Sequence, residues 1–127
     1  RIAKRCVATA SEAKAQGIDF EVTTYDISGL DRALADEEAN GLVKVITPRG
    51  KDKILGVCIV SDHAGDLISE YVLAMKHGLG LGKIMGTIHI YPTLAEMNKF
   101  AASEWAKAHK PDWAINIAEK YHRFRRG

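Results

Sequence analysis

Cysteine, net charge and long apolar runs are all scarce in this sequence, and each shortage excludes something. Cys6 and Cys58 are the only two cysteines among 127 residues. They stand far apart, and neither belongs to a Cys-x-x-Cys or Cys/His ligand pattern, so a zinc module and a disulfide-rich scaffold are set aside. Cys58 lies in the apolar run 54–60, where a small buried thiol is expected. Such usage suits a reducing, cytoplasmic setting. No apolar run approaches the roughly 18 residues that a membrane-spanning helix needs, and no signal peptide is visible. Eighteen Lys and Arg against 16 Asp and Glu leave a formal charge of +2, too little to imply a nucleic-acid or membrane partner. The catalytic motifs that can be read locally are also missing: no His-Glu-x-x-His, no nucleophile elbow and no phosphate-binding loop. The chain starts at Arg1, without Met, which raises the expectation of a processed or excised piece.

What is present is ordinary globular material: 46% hydrophobic and 27% charged residues, enough for one domain with a real core. Residues 1–9 are weakly patterned, with Ile2 and Val7 the main apolar members. Ala10 to Gly17 has the composition of a short helix ended by glycine. Phe20 to Asp26 alternates, with Phe20, Val22 and Thr24 on one face and Glu21, Thr23 and Tyr25 on the other, as a half-buried strand does. Ser28-x-x-Asp31 offers a cap for a brief turn, and Asn40-Gly41 is a turn signal. Two strands, Gly41 to Thr47 and Lys53 to Val60, flank a polar link of about five residues. The second is apolar on both faces, which predicts a central strand with a layer on each side. Ala64, Leu67, Ile68, Tyr71, Val72 and Met75 recur at helical spacing, predicting a helix to His77. The glycines at 78, 80 and 82 then follow a helix, whereas a dinucleotide fingerprint follows a strand, so Gly78 reads as a helix C-cap. A short apolar segment, 81–85, precedes Thr93, from which a helix striped by Leu94, Met97, Ala101, Trp105 and Ala108 is predicted. Asp112 caps a last helix with Trp113, Ile117, Tyr121 and Phe124 inward. Its basic end (Lys120, His122, Arg123, Arg125 and Arg126) reads as a solvated helix terminus. Strands followed by helices predict an α+β domain, an antiparallel sheet covered by helices, over residues 1–127.

Chemistry concentrates at 86–96. Thr93 and Glu96 fit a capping box, and Tyr91 and Glu96 can approach each other across one helical turn. A phenol is only about 0.1% ionised at neutral pH, so Tyr91 suits a hydrogen-bond donor or acid better than a base, and Glu96 could orient it. The five histidines (His63, His77, His89, His109 and His122) show no metal spacing. Asp62, Asp66 and Glu70 share a helical face and read as a solvated acidic surface. With no nucleophile, metal or cofactor motif beside them, Tyr91 and Glu96 look like part of a site.

The runs Gly41-Leu42-Val43-Lys44-Val45, Ile54-Leu55-Gly56, Ala64-Gly65-Asp66-Leu67-Ile68 and Tyr91-Pro92-Thr93-Leu94-Ala95-Glu96 together resemble the C-terminal dimerisation domain of the FAD-dependent pyridine nucleotide-disulfide oxidoreductases. The resemblance covers roughly Glu12 to the C-terminus and leaves residues 1–11 as a ragged lead-in. It implies a homodimer, with FAD and NAD(P) domains and a redox-active cysteine pair upstream. This piece alone would be inactive, binding no cofactor and no nucleic acid. The family's histidine-proline-threonine corner, with a glutamate behind it, reaches the partner subunit's FAD and disulfide. Matched here, the proline is Pro92, the threonine Thr93, the glutamate Glu96, and Tyr91 stands at the histidine's place. Tyr91 and Pro92 would then meet the partner's FAD, with Tyr91 and Glu96 as the catalytic pair. His89, on the other side of the corner, is not the base. Mercuric reductase carries a tyrosine at a similar place, which draws the chain toward that branch. The ending Phe124-Arg125-Arg126-Gly127 lacks the vicinal cysteines of a true mercuric reductase. The alternative reading is a stand-alone α+β binding module with no redox role.

Overall fold

The computed structural model describes residues 3–111 together with Ala114, Lys120, Tyr121 and Arg123. Four strands form one antiparallel sheet in the order β1-β4-β3-β2, with β1 at Ala3–Val7, β2 at Phe20–Asp26, β3 at Leu42–Pro48 and β4 at Gly56–Ser61. The helices are α1 (Ala10–Ala15), α2 (Asp31–Ala35), α3 (Ala64–Leu67), α4 (Ser69–Lys76), α5 (Leu81–Met85) and α6 (Glu96–Ala108). This is the α+β architecture that the element order predicts.

The central strands supply the core because their register stacks apolar residues on one face. Val43 pairs with Ile59 and Val45 with Val57, and all four are fully buried. Tyr71, Leu81, Ile84, Met97 and Ala101 cover them from the helices. The strand β4 is central, as expected, but it is not covered equally on both faces. Cys58 and Val60 are half-buried and Lys44 is exposed on the face away from the helices.

That second face carries a correction. Cys58 is no buried thiol, because it pairs in register with Cys6 of β1 and is joined to it by a disulfide. The weakly patterned segment 3–7 is thus a strand, and Cys58 is not the free thiol from which a reducing setting was expected.

Alternation along β2 identifies the strand but not its inner face. The inward set is Glu21, Thr23 and Tyr25, while Val22 remains exposed. The helix α6 explains this choice. Trp105 Nε1 donates to Glu21 Oε1 at 3.3 Å, His109 Nε2 lies 2.6 Å from the same oxygen, and Tyr25 packs on Phe100. A carboxylate bridging two aromatic donors ties α6 to the sheet edge.

Local signals are met in part. Thr9 and Glu12 cap α1 reciprocally. Asp26, not Ser28, caps the turn before α2, its carboxylate accepting from Ser28 N–H at 2.7 Å. The helix expected over 64–77 divides at Ile68 into α3 and α4, although the Val72 N–H still donates to the Ile68 carbonyl. Val72 faces outward. Gly78 takes φ +65, the left-handed cap conformation. The Leu81 N–H that follows donates to the Asp52 backbone carbonyl, and the Gly82 N–H donates to the Asp52 carboxylate at 3.0 Å. The link between β3 and β4 spans seven residues, two more than expected, since Lys53 instead bridges to Gly80. The expected last helix falls largely outside the described residues, as do its cap Asp112 and Trp113, Ile117, His122, Phe124, Arg125 and Arg126.

Gly41 gives a direct test of this packing. A Cβ there would lie 2.1 Å from the Val60 carbonyl oxygen, and a backbone atom cannot rotate aside. Gly41→Ala is therefore expected to destabilise the fold by about 2 kcal/mol or more, with the effect read as a lowered urea midpoint.

Candidate functional site

The stretch between α5 and α6 makes its own scaffold from short-range bonds. The Thr87 hydroxyl donates to Lys83 C=O at 2.7 Å, closing α5. The Thr93 hydroxyl donates to Ile90 C=O at 2.6 Å, and the Thr93 N–H donates to Glu96 Oε2 at 3.2 Å. Only half of the expected capping box is therefore made. Glu96 reaches back to Thr93 as predicted, but the Thr93 hydroxyl turns into the loop and α6 begins at Glu96. Tyr91-Pro92 is cis.

The corner is fastened to the helices through His89. Its side chain is only 5% exposed, with Nε2 2.7 Å from Glu70 Oε1 and Nδ1 2.9 Å from Thr87 C=O. Both ring nitrogens thus face oxygens. The other Glu70 oxygen accepts from Asn98 Nδ2 at 2.8 Å, and the same nitrogen donates to Leu67 C=O at 3.0 Å. Glu70 is thus a structural acceptor, which corrects its reading as part of a solvated acidic face. Among the described residues, no group of three or more His, Cys, Asp or Glu could hold a metal. Asn98 does not stand out in the sequence, and the role of Glu70 cannot be read there, because their partners come from other elements. Removing the shared acceptor leaves the Asn98 amide and the His89 ring short of a partner inside the fold. Glu70→Ala is expected to cost about 1–3 kcal/mol and to raise amide exchange across 86–93. Glu70→Gln, which keeps an acceptor oxygen, should cost less.

With His89 tucked in, its neighbours point outward. Ile88 is 86% exposed, Ile90 69% and Tyr91 67%. Tyr91 and Glu96 line one cleft of about 140 Å³ with Gly29, Leu30, Asp31 and Phe100. A wider groove beyond Pro92 and Thr93 is lined by Arg32, Asp36, His63, Leu67, Leu94 and Ala95. Tyr91 and Glu96 are brought together as expected, but they are not hydrogen-bonded as a pair. The Tyr91 hydroxyl donates to Asp31 Oδ2 at 2.9 Å, while the Glu96 carboxylate is engaged by the Thr93 amide. Direct orientation of the phenol by Glu96 is accordingly corrected. The Asp31 hydrogen bond and then the Asp31 charge push the Tyr91 phenol above its ordinary range, with smaller contributions from desolvation and Glu96. Tyr91 thus stays a neutral phenol at and beyond neutral pH.

The family described as pyridine nucleotide-disulphide oxidoreductase, dimerisation domain, matches residues 8–102. The chain belongs to this family. The dihydrolipoyl dehydrogenase of Schizosaccharomyces pombe mitochondria is 38% identical over 93 residues, covering 73% of this chain and 18% of its own length. LpdA from Mycobacterium tuberculosis superposes with a TM-score of 0.70 at 24% identity, over 80% of this chain and 22% of that one. The HOCl-induced flavoprotein disulfide reductase RclA from Escherichia coli gives 0.71 at 20% identity, over 80% and 23%. The chain thus spans about a fifth of the length of these oxidoreductases. Within the dimerisation domain, the matched region ends inside α6 and contains the whole 86–96 corner.

Proposed function

We propose that this chain is the interface domain of a homodimeric, FAD- and NAD(P)H-dependent disulfide reductase of the mercuric-reductase-like branch, and that its corner completes the partner subunit's flavin–disulfide site. The observation that carries the reading is the exposed pair Ile88 and Ile90 on a loop anchored by buried His89. A fixed apolar ridge marks a surface to be covered, and in this family a second copy is the natural cover.

The glycine run at 78–82 is not placed as a dinucleotide fingerprint. The run follows α4, and its Gly82 amide is taken by the Asp52 carboxylate. FAD would be held by other domains of a longer protein, and the share of this chain would be the exposed Tyr91 ring and Pro92. The flavin supplies two-electron exchange between nicotinamide and disulfide. Here, Tyr91 offers a neutral phenol oxygen, Pro92 sets the turn that presents it, and Glu96 holds the Thr93 amide so that the turn keeps its shape. The tyrosine at the place of the family's histidine favours the mercuric-reductase-like branch over dithiol oxidation, because a neutral phenol is a poor proton acceptor for a thiol.

Sedimentation equilibrium of the chain at micromolar to millimolar concentration tests the interface. Reversible dimerisation is expected, whereas an ideal monomer throughout that range would overturn the interface reading.

A further inference from the structure

We infer that Asp31 is the positioning residue of Tyr91, holding the phenol at a fixed point across the cleft by accepting its hydroxyl hydrogen. This deepens the proposed function and rests on Tyr91 being the side chain shown to the partner subunit. The geometry comes from two separate elements. Asp31 is the first residue of α2, and that short helix is seated by Leu30 and Ala33, both fully buried. Tyr91 comes from the corner, 60 residues later, and its hydroxyl meets Asp31 Oδ2 at 2.9 Å. Glu96 lines the same cleft from α6 but spends its hydrogen bond on the Thr93 amide. The one phenolic hydrogen is therefore taken, and the oxygen lone pairs are left to face outward, so that Tyr91 meets its reactant as an acceptor. Asp31 and Glu96 are the charged groups that act on this phenol, and both favour its neutral form, Asp31 the more strongly.

The test is an ultraviolet titration of the 127-residue chain, with the wild-type curve minus the Tyr91→Phe curve isolating one phenol. It should be run where sedimentation gives the same species for every variant. Asp31→Asn, measured both alone and combined with Tyr91→Phe so that the same subtraction applies, is expected to raise the ionisation constant of Tyr91 about threefold or more. Asp31→Glu, which keeps a carboxylate, should retain most of the wild-type value, and Glu96→Gln should have the smaller effect. An unchanged Tyr91 titration in Asp31→Asn, or a larger change in Glu96→Gln, would overturn the assignment. This readout needs no cofactor, turnover or dimer, so its failure is separate from failure of the proposed function. A role of Asp31 in α2 alone would shift the urea midpoint without moving the titration.

Discussion

Replacing Ile88 and Ile90 together by aspartate is expected to weaken self-association at least about 100-fold while leaving the fold intact. Each isoleucine stands to gain about 2 kcal/mol on burial, and a two-fold interface counts every side chain twice. The four side chains thus offer about 8 kcal/mol before ordering costs, and a quarter of that already changes the dissociation constant about 30-fold. Four carboxylates facing one another across the axis add repulsion and desolvation. Folding should be spared because both positions are exposed and the loop is held by His89, Thr87 and Thr93. The variant should sediment as a monomer with an unchanged urea midpoint. Dimerisation at wild-type strength would move the interface elsewhere on the molecule.

Tyr91→Phe in the proposed full-length reductase is expected to lower turnover about 100-fold with little change in stability. The substitution removes one oxygen from a side chain that is 67% exposed, and the ring remains. The sign of the pH dependence follows from the raised phenol. Tyr91 is neutral from about pH 6 to about pH 9, so the defect should be constant across that interval. A defect that appeared only above neutrality would mean that the phenolate, and not the phenol, does the work. Glu96→Gln should be milder, because glutamine can still accept from the Thr93 amide.

The legible parts of this chain are those fixed by neighbours in sequence. The strand β2 follows from alternation over seven residues, and Gly78 follows from its place after a helical stripe. The segment 3–7 escapes such a reading because an edge strand of mixed residues shows no period, and its pairing with β4 lies far along the chain. The Cys6–Cys58 bridge, at a separation of 52, is a consequence of that pairing and has no local signal. The sequence singles out the stretch 86–96 and the pair Tyr91 and Glu96, which the fold places on one cleft. It misassigns the partner of the phenol but not the Thr93 partner of Glu96. The phenol goes to Asp31, which the fold of α2 brings over, while Glu96 serves the backbone three residues earlier. The polar support beneath the corner, Glu70 and Asn98, is invisible for the same reason: each residue looks like surface until α4, α6 and the loop are packed together.

The central claim is that the corner acts in the partner's site, and subunit complementation tests it most directly. A differently tagged heterodimer is assembled from one full-length subunit carrying Tyr91→Phe and one lacking the redox-active cysteine pair. If the corner works across the interface, one site of the heterodimer combines intact cysteines with an intact Tyr91, and about half of the wild-type activity should return. If Tyr91 serves its own subunit, no site is whole, and activity no higher than that of the Tyr91→Phe homodimer would contradict the account.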